Sequence, residues 1–216
     1  MNEKGSRTAR FISFEGIDGC GKSTLMEQLS RWLAEAGVPH LRTREPGGTP
    51  LGEKIRALLL DPSNEGMNER AEVLLYTSSR AQLVQETILP ALEKGVWVLT
   101  DRYVDATLAY QGFGRGIELE PLRRIQSWAT NGLQPDKTIL LDCDVDLAHG
   151  RMLGRSEHPD RMERENLDFH RRVRNGYMEI ARSDPERFIV LDAAKPLEEV
   201  VTDFHARFWK PWLDRA

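Results

Sequence analysis

A glycine-rich stretch near the start of the chain has the residue types and the spacing of a phosphate-binding loop. Residues 16–24 read Gly-Ile-Asp-Gly-Cys-Gly-Lys-Ser-Thr and fit the pattern G-x-x-x-x-G-K-[ST]. The glycines allow a tight turn that directs backbone N–H groups toward phosphate oxygens. Lys22 would place its positive charge on the outer phosphates, and Ser23 would offer its hydroxyl to Mg²⁺. The motif therefore predicts the binding of a nucleoside triphosphate.

The elements on either side of this loop are those of an anion site. Residues 10–15 are typical of a short buried strand, and residues 24–33 of an amphipathic helix. A helix N-terminus binds anions because its first N–H groups have no partner within the helix. A glycine-rich turn before an ordinary helix is the alternative, but it does not explain the Lys and Ser that follow the third glycine.

An acidic residue and an arginine follow a second apolar strand, which we predict over residues 95–100. Asp101 at such a strand end can hold the shell of a Mg²⁺ ion, and Arg102 can clamp a phosphate through two N–H groups. A strand-ending ion pair explains these two residues equally well by themselves, but a phosphate-binding loop on a neighbouring strand favours the functional interpretation. Asp142 also ends a strand, but no arginine follows it, so a strand-end cap is favoured there.

Two polar segments lie where they could reach the same ligand. Residues 44–49, Arg-Glu-Pro-Gly-Gly-Thr, follow a strand and precede a helix, although an ordinary turn would also explain them. Residues 154–161 are a polar break between helices and have the composition of a mobile lid. Arg155 and Arg161 could bring positive charge from this break to the transferring phosphates. The other arginines of residues 151–174 are expected mostly on a solvated helix face.

The composition indicates one globular domain over residues 1–216. The 216 residues are 40% hydrophobic and 30% charged, and the net charge of −4 gives no general basis for a nucleic-acid partner. Residues 1–10 lack the apolar core of a signal peptide, and no apolar run approaches the ~20 residues of a membrane span. Cys20 and Cys143 are far apart and in no metal-binding pattern. We therefore expect free thiols in a cytoplasmic protein that does not bind a membrane.

Strand-like and helix-like segments alternate along the chain, which predicts an α/β fold. Such alternation implies a parallel sheet with helices on both faces. The predicted strands cover residues 10–15, 38–43, 95–100, 138–141 and 188–191. The predicted helices cover residues 24–33, 51–60, 68–92, 119–130, 145–153, 161–183 and 196–212.

Taken in order over nearly the whole chain, these motifs resemble those of the bacterial thymidylate kinases, enzymes that phosphorylate dTMP to dTDP with ATP. Several ordered and partly unusual motifs are more specific than any one of them. They comprise residues 14–24, 44–49, Tyr76 with 80–82, 101–103, 109–112, 160–161 and 192–196.

The resemblance implies a three-layer P-loop NTPase fold, with a central five-stranded parallel sheet, helices on both faces and a small lid near residues 151–161. It implies Mg²⁺ as cofactor, ATP and dTMP as substrates, a homodimer, and a place in dTTP biosynthesis, de novo and by salvage. The implied catalytic residues are Lys22, Arg102, Arg155 and Arg161, and the implied metal ligands are Ser23 and Asp101. The implied ATP site consists of Gly16, Ile17, Asp18, Gly19, Cys20, Gly21, Lys22, Ser23, Thr24, Ala193, Lys195 and Pro196. The implied dTMP site consists of Asp18, Arg44, Glu45, Pro46, Tyr76, Arg80, Arg102, Thr107, Tyr110 and Gln111.

The resemblance also assigns roles within the dTMP site. Tyr76 would stack on thymine, and Arg80 would donate to the thymine carbonyl edge. The two residues are four apart on one helix face, so both could meet one ligand. A core Tyr76 and a surface Arg80 would be the structural alternative. Asp18 would reach the 3′-hydroxyl, Tyr110 would crowd the sugar 2′ position, and Arg102 would bridge the two phosphates.

The chain departs from the commonest family pattern at three places. Cys20 occupies a position of the phosphate-binding loop that Ala or Ser often holds. Tyr76 stands where phenylalanine is frequent, and its hydroxyl needs a partner or water. No basic residue lies between Gly16 and Gly21, which resembles the branch that supplies a catalytic arginine from the lid.

Three other functions remain open. A kinase for another nucleoside or nucleoside monophosphate would share most of these motifs. A GTPase would usually carry a guanine-reading N-K-x-D motif, which this chain lacks. A non-catalytic ATP-binding module would need neither the lid nor a second ligand site. The sequence also leaves open whether the Glu45–Pro46 bond is cis.

Overall fold

The computed structural model describes residues 9–153 and 160–214, and its centre is one parallel sheet. The five strands are hydrogen-bonded in the order β2-β3-β1-β4-β5, and every pair is parallel. This confirms the predicted five-stranded parallel sheet. The strands are β1 Phe11–Glu15, β2 His40–Arg44, β3 Trp97–Asp101, β4 Lys137–Asp142 and β5 Phe188–Asp192.

The register of the sheet brings the chemically interesting strand ends to one edge. Asp101 at the end of β3 lies opposite both Arg44 of β2 and Phe14 of β1. The phosphate-binding loop begins directly after β1, so it lies beside Asp101 and Arg102. Parallel strands end at the same edge, which explains why loops distant in sequence meet there.

Helices cover the sheet, and several continue through π-helical turns. The helices are α1 Lys22–Glu35, α2 Pro50–Leu60, α3 Glu69–Leu83, α4 Leu89–Glu93, α5 Val104–Thr107, α6 Leu119–Ala129, α7 Val145–Leu153, α8 Leu167–Ser183, α9 Leu197–Phe204 and α10 Lys210–Leu213. The π-helical turns are Val84–Ile88, Leu108–Gly114 and His205–Trp209. The helices predicted over residues 68–92 and 196–212 are therefore each nearly continuous, with a π-helical turn inside.

Two helix predictions are wrong. The helix predicted from residue 161 begins at Leu167, because Asn166 caps it through a hydrogen bond from Phe169 N of 2.8 Å. The side chain of Asp160 instead accepts the N–H groups of Met162 and Glu163 in a turn. Residues 104–114, for which no helix was predicted, form α5 and a π-helical turn.

One hydrophobic core joins the sheet to α1, α8 and the C-terminal helices. Leu25, Leu29 and Leu33 of α1 are fully buried at helical spacing, and each such side chain contributes roughly 1.5–3 kcal/mol. Trp32 stacks on Trp209 with ring centroids 5.8 Å apart. This packing holds α1 rigidly behind the phosphate-binding loop. In the part of the chain that the structure describes, no helix is long and apolar enough to cross a membrane.

Candidate active site

The phosphate-binding loop between β1 and α1 depends on glycine for its shape. Gly16, Gly19 and Gly21 have φ angles of 133°, 81° and 101°, where side chains are strained. A Cβ atom at Gly19 would lie 2.2 Å from the carbonyl oxygen of Ala148. The loop therefore requires glycine for backbone conformation and for its close approach to α7.

Lys22 is held over this loop. Its side chain is 6% exposed, and its Nζ donates to the carbonyl oxygens of Gly16 and Ile17 at 3.1 Å each. The same Nζ lies 3.7 Å from Asp18 Oδ1. The ammonium group is thus positioned by the loop itself, where triphosphate oxygens would be bound by the α1 N-terminus.

Arg102 connects the phosphate-binding loop to the neighbouring cavity. Its Nη1 donates to Gly16 O at 2.9 Å and to the Tyr177 hydroxyl at 3.1 Å. Its Nη2 donates to Asp18 Oδ1 at 2.7 Å and to the Tyr110 hydroxyl at 3.0 Å. Arg102 has a φ of 72°, a left-handed conformation that is strained for an arginine and is maintained by these contacts.

The charges around Asp18 keep it ionised. Burial alone would raise the pKa of Asp18, but the nearby Arg102 and Lys22 cations outweigh that effect and hold the pKa below its usual range. Two cations and one carboxylate therefore meet where the loop opens into the cavity. The excess positive charge suits a polyphosphate.

A cavity of about 550 Å³, partly open to solvent, lies beside Arg102. Nine of the residues predicted for dTMP line it: Asp18, Glu45, Pro46, Tyr76, Arg80, Arg102, Thr107, Tyr110 and Gln111. The cavity is also lined by five residues that were not predicted to bind a ligand: Arg56, Leu60, Ala106, Asp160 and Met162.

Arg44, the tenth predicted dTMP residue, lies elsewhere. Its exposed guanidinium pairs with both carboxylate oxygens of Glu53 at 3.0 Å. The direction of the Arg44 side chain is set by the pairing of β2 with β3, since Arg44 is the last residue of β2. A role in dTMP binding stays a prediction for this residue.

Arg80 forms part of the cavity wall, and its surroundings exclude the alternative of a surface arginine. It is 1% exposed, and its Nε donates to Glu45 Oε2 at 2.6 Å. Nη1 donates to Thr107 Oγ1 and Gln126 Oε1, and Nη2 donates to Tyr103 O at 2.9 Å. Four of its five N–H groups are thus used, and the fifth, on Nη2, has no acceptor among the described residues.

Tyr76 and Glu45 complete the wall around Arg80. Tyr76 is half-buried one helical turn before Arg80, so both residues face the cavity as the spacing predicted. Burial raises the pKa of Glu45 to about 7, although Arg80 acts in the opposite direction. Glu45 Oε1 is buried without a hydrogen-bond partner among the described residues. The Glu45–Pro46 peptide bond is cis.

The residues predicted for Mg²⁺ fit such an ion. Asp101 Oδ1 is buried without a donor among the described residues, and the Ser23 side chain is exposed at the start of α1. Carboxylate and hydroxyl oxygens are ligands that Mg²⁺ accepts, usually together with water. Asp142 differs, because both its oxygens accept from Arg174, at 2.6 and 3.0 Å. That pairing agrees with the structural interpretation of Asp142.

A second cavity, of about 670 Å³, adjoins the other side of the phosphate-binding loop. Of the residues predicted for ATP, it is lined by Gly19, Cys20, Gly21, Thr24, Ala193 and Lys195. Arg151 Nη1 donates to Ala193 O at 3.0 Å and so ties the loop after β5 to α7. Pro196 is the N-cap residue of α9 and does not line this cavity. Leu197 and Val200 do, and sequence reasoning missed them.

The structure describes only one of the two predicted lid arginines. Arg155 lies outside the described residues. Arg161 is 4% exposed, with its Nη1 2.6 Å from Glu72 Oε2 and its Nε donating to Leu59 O at 2.7 Å. Its Nη2 has no partner among the described residues. A catalytic role for Arg161 stays a prediction.

The chain is similar to known thymidylate kinases over most of its length. A sequence model of the family described as thymidylate kinase matches residues 14–204. The thymidylate kinase of Carboxydothermus hydrogenoformans is 51% identical over 191 residues, 88% of this chain and 92% of that protein. That of Symbiobacterium thermophilum is 48% identical over 89% of each chain. That of Chromobacterium violaceum is 49% identical over 91% of this chain and 92% of that protein. The chain therefore belongs to the thymidylate kinase family.

Proposed function

We propose that this protein is an ATP-dependent thymidylate kinase that transfers the γ-phosphoryl group of ATP to a phosphate oxygen of dTMP. The observation that carries the proposal is the position of Arg102, which contacts both the phosphate-binding loop and the cavity lined by Tyr76 and Arg80. The proposed donor site and the proposed acceptor site therefore share one guanidinium. The products are ADP and dTDP, and dTDP feeds dTTP synthesis by the de novo and salvage routes.

Transfer in this site needs positioning and charge neutralisation more than proton transfer. The acceptor phosphate oxygen of dTMP is already anionic, so no general base is required. Lys22 and Arg102 both approach Asp18 Oδ1, at 3.7 and 2.7 Å, and would draw the two phosphate groups together. Ser23 and Asp101 are the residues that would hold Mg²⁺, which would supply neutralisation of charge on the ATP phosphates.

Substrate binding would exchange the partners of Arg102. Both N–H groups of its Nη2 are bound to Asp18 and Tyr110. A dTMP phosphate is a stronger acceptor than a tyrosine hydroxyl and would take over at least one of them. Asp18 would then accept a hydrogen bond from the sugar 3′-hydroxyl, as predicted for it.

Arg155 completes the charge of the transition state in this proposal. The phosphate-binding loop has no basic residue between Gly16 and Gly21, and Arg161 is paired with Glu72. We therefore assign the transferring phosphoryl group to Arg155, the predicted lid arginine that lies outside the described residues. The lid is assigned to residues 151–161 of a single domain covering residues 1–216.

The protein is proposed to act as a homodimer in the cytoplasm. Exposed apolar side chains on three packed helices support a self-association surface: Leu58 of α2, Leu74 of α3 and Trp128 of α6 are 51%, 52% and 80% exposed. Cys20 and Cys143 are free and buried, which suits a reducing compartment. Light scattering should give twice the chain mass for the wild type and the chain mass for Leu74→Glu; a monomeric wild type would overturn the dimer.

A substrate panel tests the proposed function. The purified chain is given ATP and Mg²⁺ with each nucleoside and nucleoside monophosphate in turn, and ADP formation is followed. We expect dTMP to give the highest kcat/KM and ATP consumption to depend on it. Preference for another acceptor would instead support the alternative, a kinase for another nucleoside or monophosphate. ATP consumption that does not depend on any of the acceptors would refute both kinase hypotheses.

A further inference from the structure

Glu72 is a buried carboxylate one helical turn before Tyr76, and the proposed reaction gives it no role. It is 1% exposed, and both its oxygens accept hydrogen bonds. Oε1 accepts from Gln111 Nε2 at 2.8 Å and from Arg115 Nε at 3.3 Å. Oε2 accepts from Arg115 Nη2 at 3.1 Å and lies 2.6 Å from Arg161 Nη1. Burial opposes ionisation, but these donors outweigh it and lower the pKa of Glu72, so the group is a carboxylate.

A carboxylate decides which way a neighbouring amide points. It can only accept hydrogen bonds, whereas a glutamine amide has a donating and an accepting end. Only Nε2 of Gln111 can therefore face Glu72. Gln111 Oε1 is turned away from Glu72, has no donor among the described residues, and belongs to a side chain that lines the cavity.

We propose that Glu72 is a positioning residue for base selection, which holds the amide oxygen of Gln111 toward the cavity and so selects pyrimidines that carry an N3–H group. This inference rests on the proposed function and names the source of its specificity. Gln111 supplies an acceptor to the cavity, and Arg80 supplies its one remaining N–H donor. Thymine and uracil present the complementary N3–H donor and carbonyl acceptor. Cytosine presents an acceptor at N3 and an amino group at C4, so both contacts would be mismatched.

The contacts of Glu72 predict the effect of an amide at this position. In Glu72→Gln, the new carbonyl oxygen would take the Oε2 place, because two arginines donate there. The new NH₂ group would then face Gln111, whose amide would turn over and present NH₂ to the cavity. The variant should therefore lose efficiency on dTMP while losing little or none on dCMP.

The test measures kcat/KM for dTMP, dUMP and dCMP, with ATP and Mg²⁺, in the wild type and in Glu72→Gln. We expect the dTMP-to-dCMP ratio to fall about 10- to 100-fold, the range that one mismatched buried hydrogen bond gives. The dTMP-to-dUMP ratio should stay within about twofold, because both bases present the same edge. Glu69→Gln is the matched control, since Glu69 is exposed one turn earlier on the same helix and should leave both ratios unchanged.

Two outcomes would overturn the assignment. Equal losses on all three substrates in Glu72→Gln would mean that Glu72 supports the fold only. An unchanged dTMP-to-dCMP ratio in Gln111→Leu would mean that Gln111 does not read the base, and this variant decides the matter even where Glu72→Gln fails to fold. In the double variant, Glu72→Gln should change the ratio no further, since it acts through Gln111. Wild-type activity on dTMP tests the proposed function separately, so the two failures are distinguishable.

Discussion

Tyr177→Phe removes a hydroxyl that accepts a hydrogen bond from Arg102 and leaves the aromatic ring in place. The Tyr177 hydroxyl donates to Glu15 Oε2 at 2.8 Å and accepts from Arg102 Nη1 at 3.1 Å. Tyr177 is 1% exposed on α8, so water has little access to the site left behind. The substitution thus separates the anchoring of Arg102 from every direct contact with substrate.

The magnitude follows from the groups that lose a partner. Glu15 keeps its bond from Tyr103 N at 2.7 Å, and Arg102 keeps Gly16, Asp18 and Tyr110. Leaving one buried polar group short of its partner costs about 1–3 kcal/mol, and the substitution affects Glu15 Oε2, which loses a donor, and Arg102 Nη1, which loses an acceptor. We expect the free energy of unfolding to fall by about 2–3 kcal/mol. For a chain of this size, that change lowers Tm by about 4–12 °C.

The effect on catalysis should appear in kcat. A guanidinium that is free to shift by about 1 Å can cost on the order of a hundredfold in rate. Because Arg102 keeps three of its four contacts, we expect kcat to fall about 10- to 100-fold and KM for dTMP to change less. Steady-state kinetics and thermal unfolding of the same preparation measure both effects.

Tyr103→Phe is the matched control. Its hydroxyl donates to Leu133 O at 3.2 Å, away from Arg102. This change should lower stability by about 1 kcal/mol and leave kcat near the wild-type value. Wild-type kcat in Tyr177→Phe, or an equal loss of kcat in Tyr103→Phe, would refute the idea that Tyr177 positions Arg102.

Three further substitutions test other parts of the site. Lys22→Ala should abolish phosphoryl transfer with the circular dichroism spectrum retained, and a variant that still turns over at the wild-type rate would contradict the mechanism. Arg155→Ala should lower kcat more than it raises KM for dTMP, because a transition-state contact is lost; a change in KM alone would indicate ground-state binding. Burial raises the pKa of Glu45 from 4.5 to about 7, so the folded chain holds this proton more tightly than the unfolded chain. Stability should therefore fall as pH rises from about 4.5 to 7, and Glu45→Gln should remove roughly 3 kcal/mol of that fall in denaturant titrations. If the free energy of unfolding fell equally with pH in the wild type and in Glu45→Gln, the raised pKa of Glu45 would be contradicted.

Much of the secondary structure could be predicted from the sequence, because it depends on residues that are neighbours in the chain. The alternation of strands and helices depends on apolar periodicity and on short-range signals, and the five strands were predicted to within a few residues. The phosphate-binding loop was readable for the same reason, since Gly16, Gly19 and Gly21 need positive φ angles. Neighbouring residues in the sequence carry these signals.

Residues 104–114 were not readable as helical, because tertiary packing overrides local preference there. Gly112 and Gly114 disfavour a helix by themselves. A Cβ atom at Gly114 would lie 2.7 Å from the Phe169 ring, so glycine is what allows α8 to approach this segment. The helix predicted from residue 161 was displaced similarly, since Arg161 N donates to Leu60 O, about a hundred residues away in sequence.

The sequence by itself determined the donor chemistry: a glycine-rich loop, Lys22 and Ser23 adjacent in the chain specify a triphosphate site wherever the fold places them. Only the tertiary structure decided the acceptor site. Arg80 could have been an ordinary surface arginine, and its burial depends on partners from Glu45, Tyr103 and Gln126, each 23 or more residues away. No local pattern encodes such contacts. They form because the parallel strands end at one edge and bring their following segments together there.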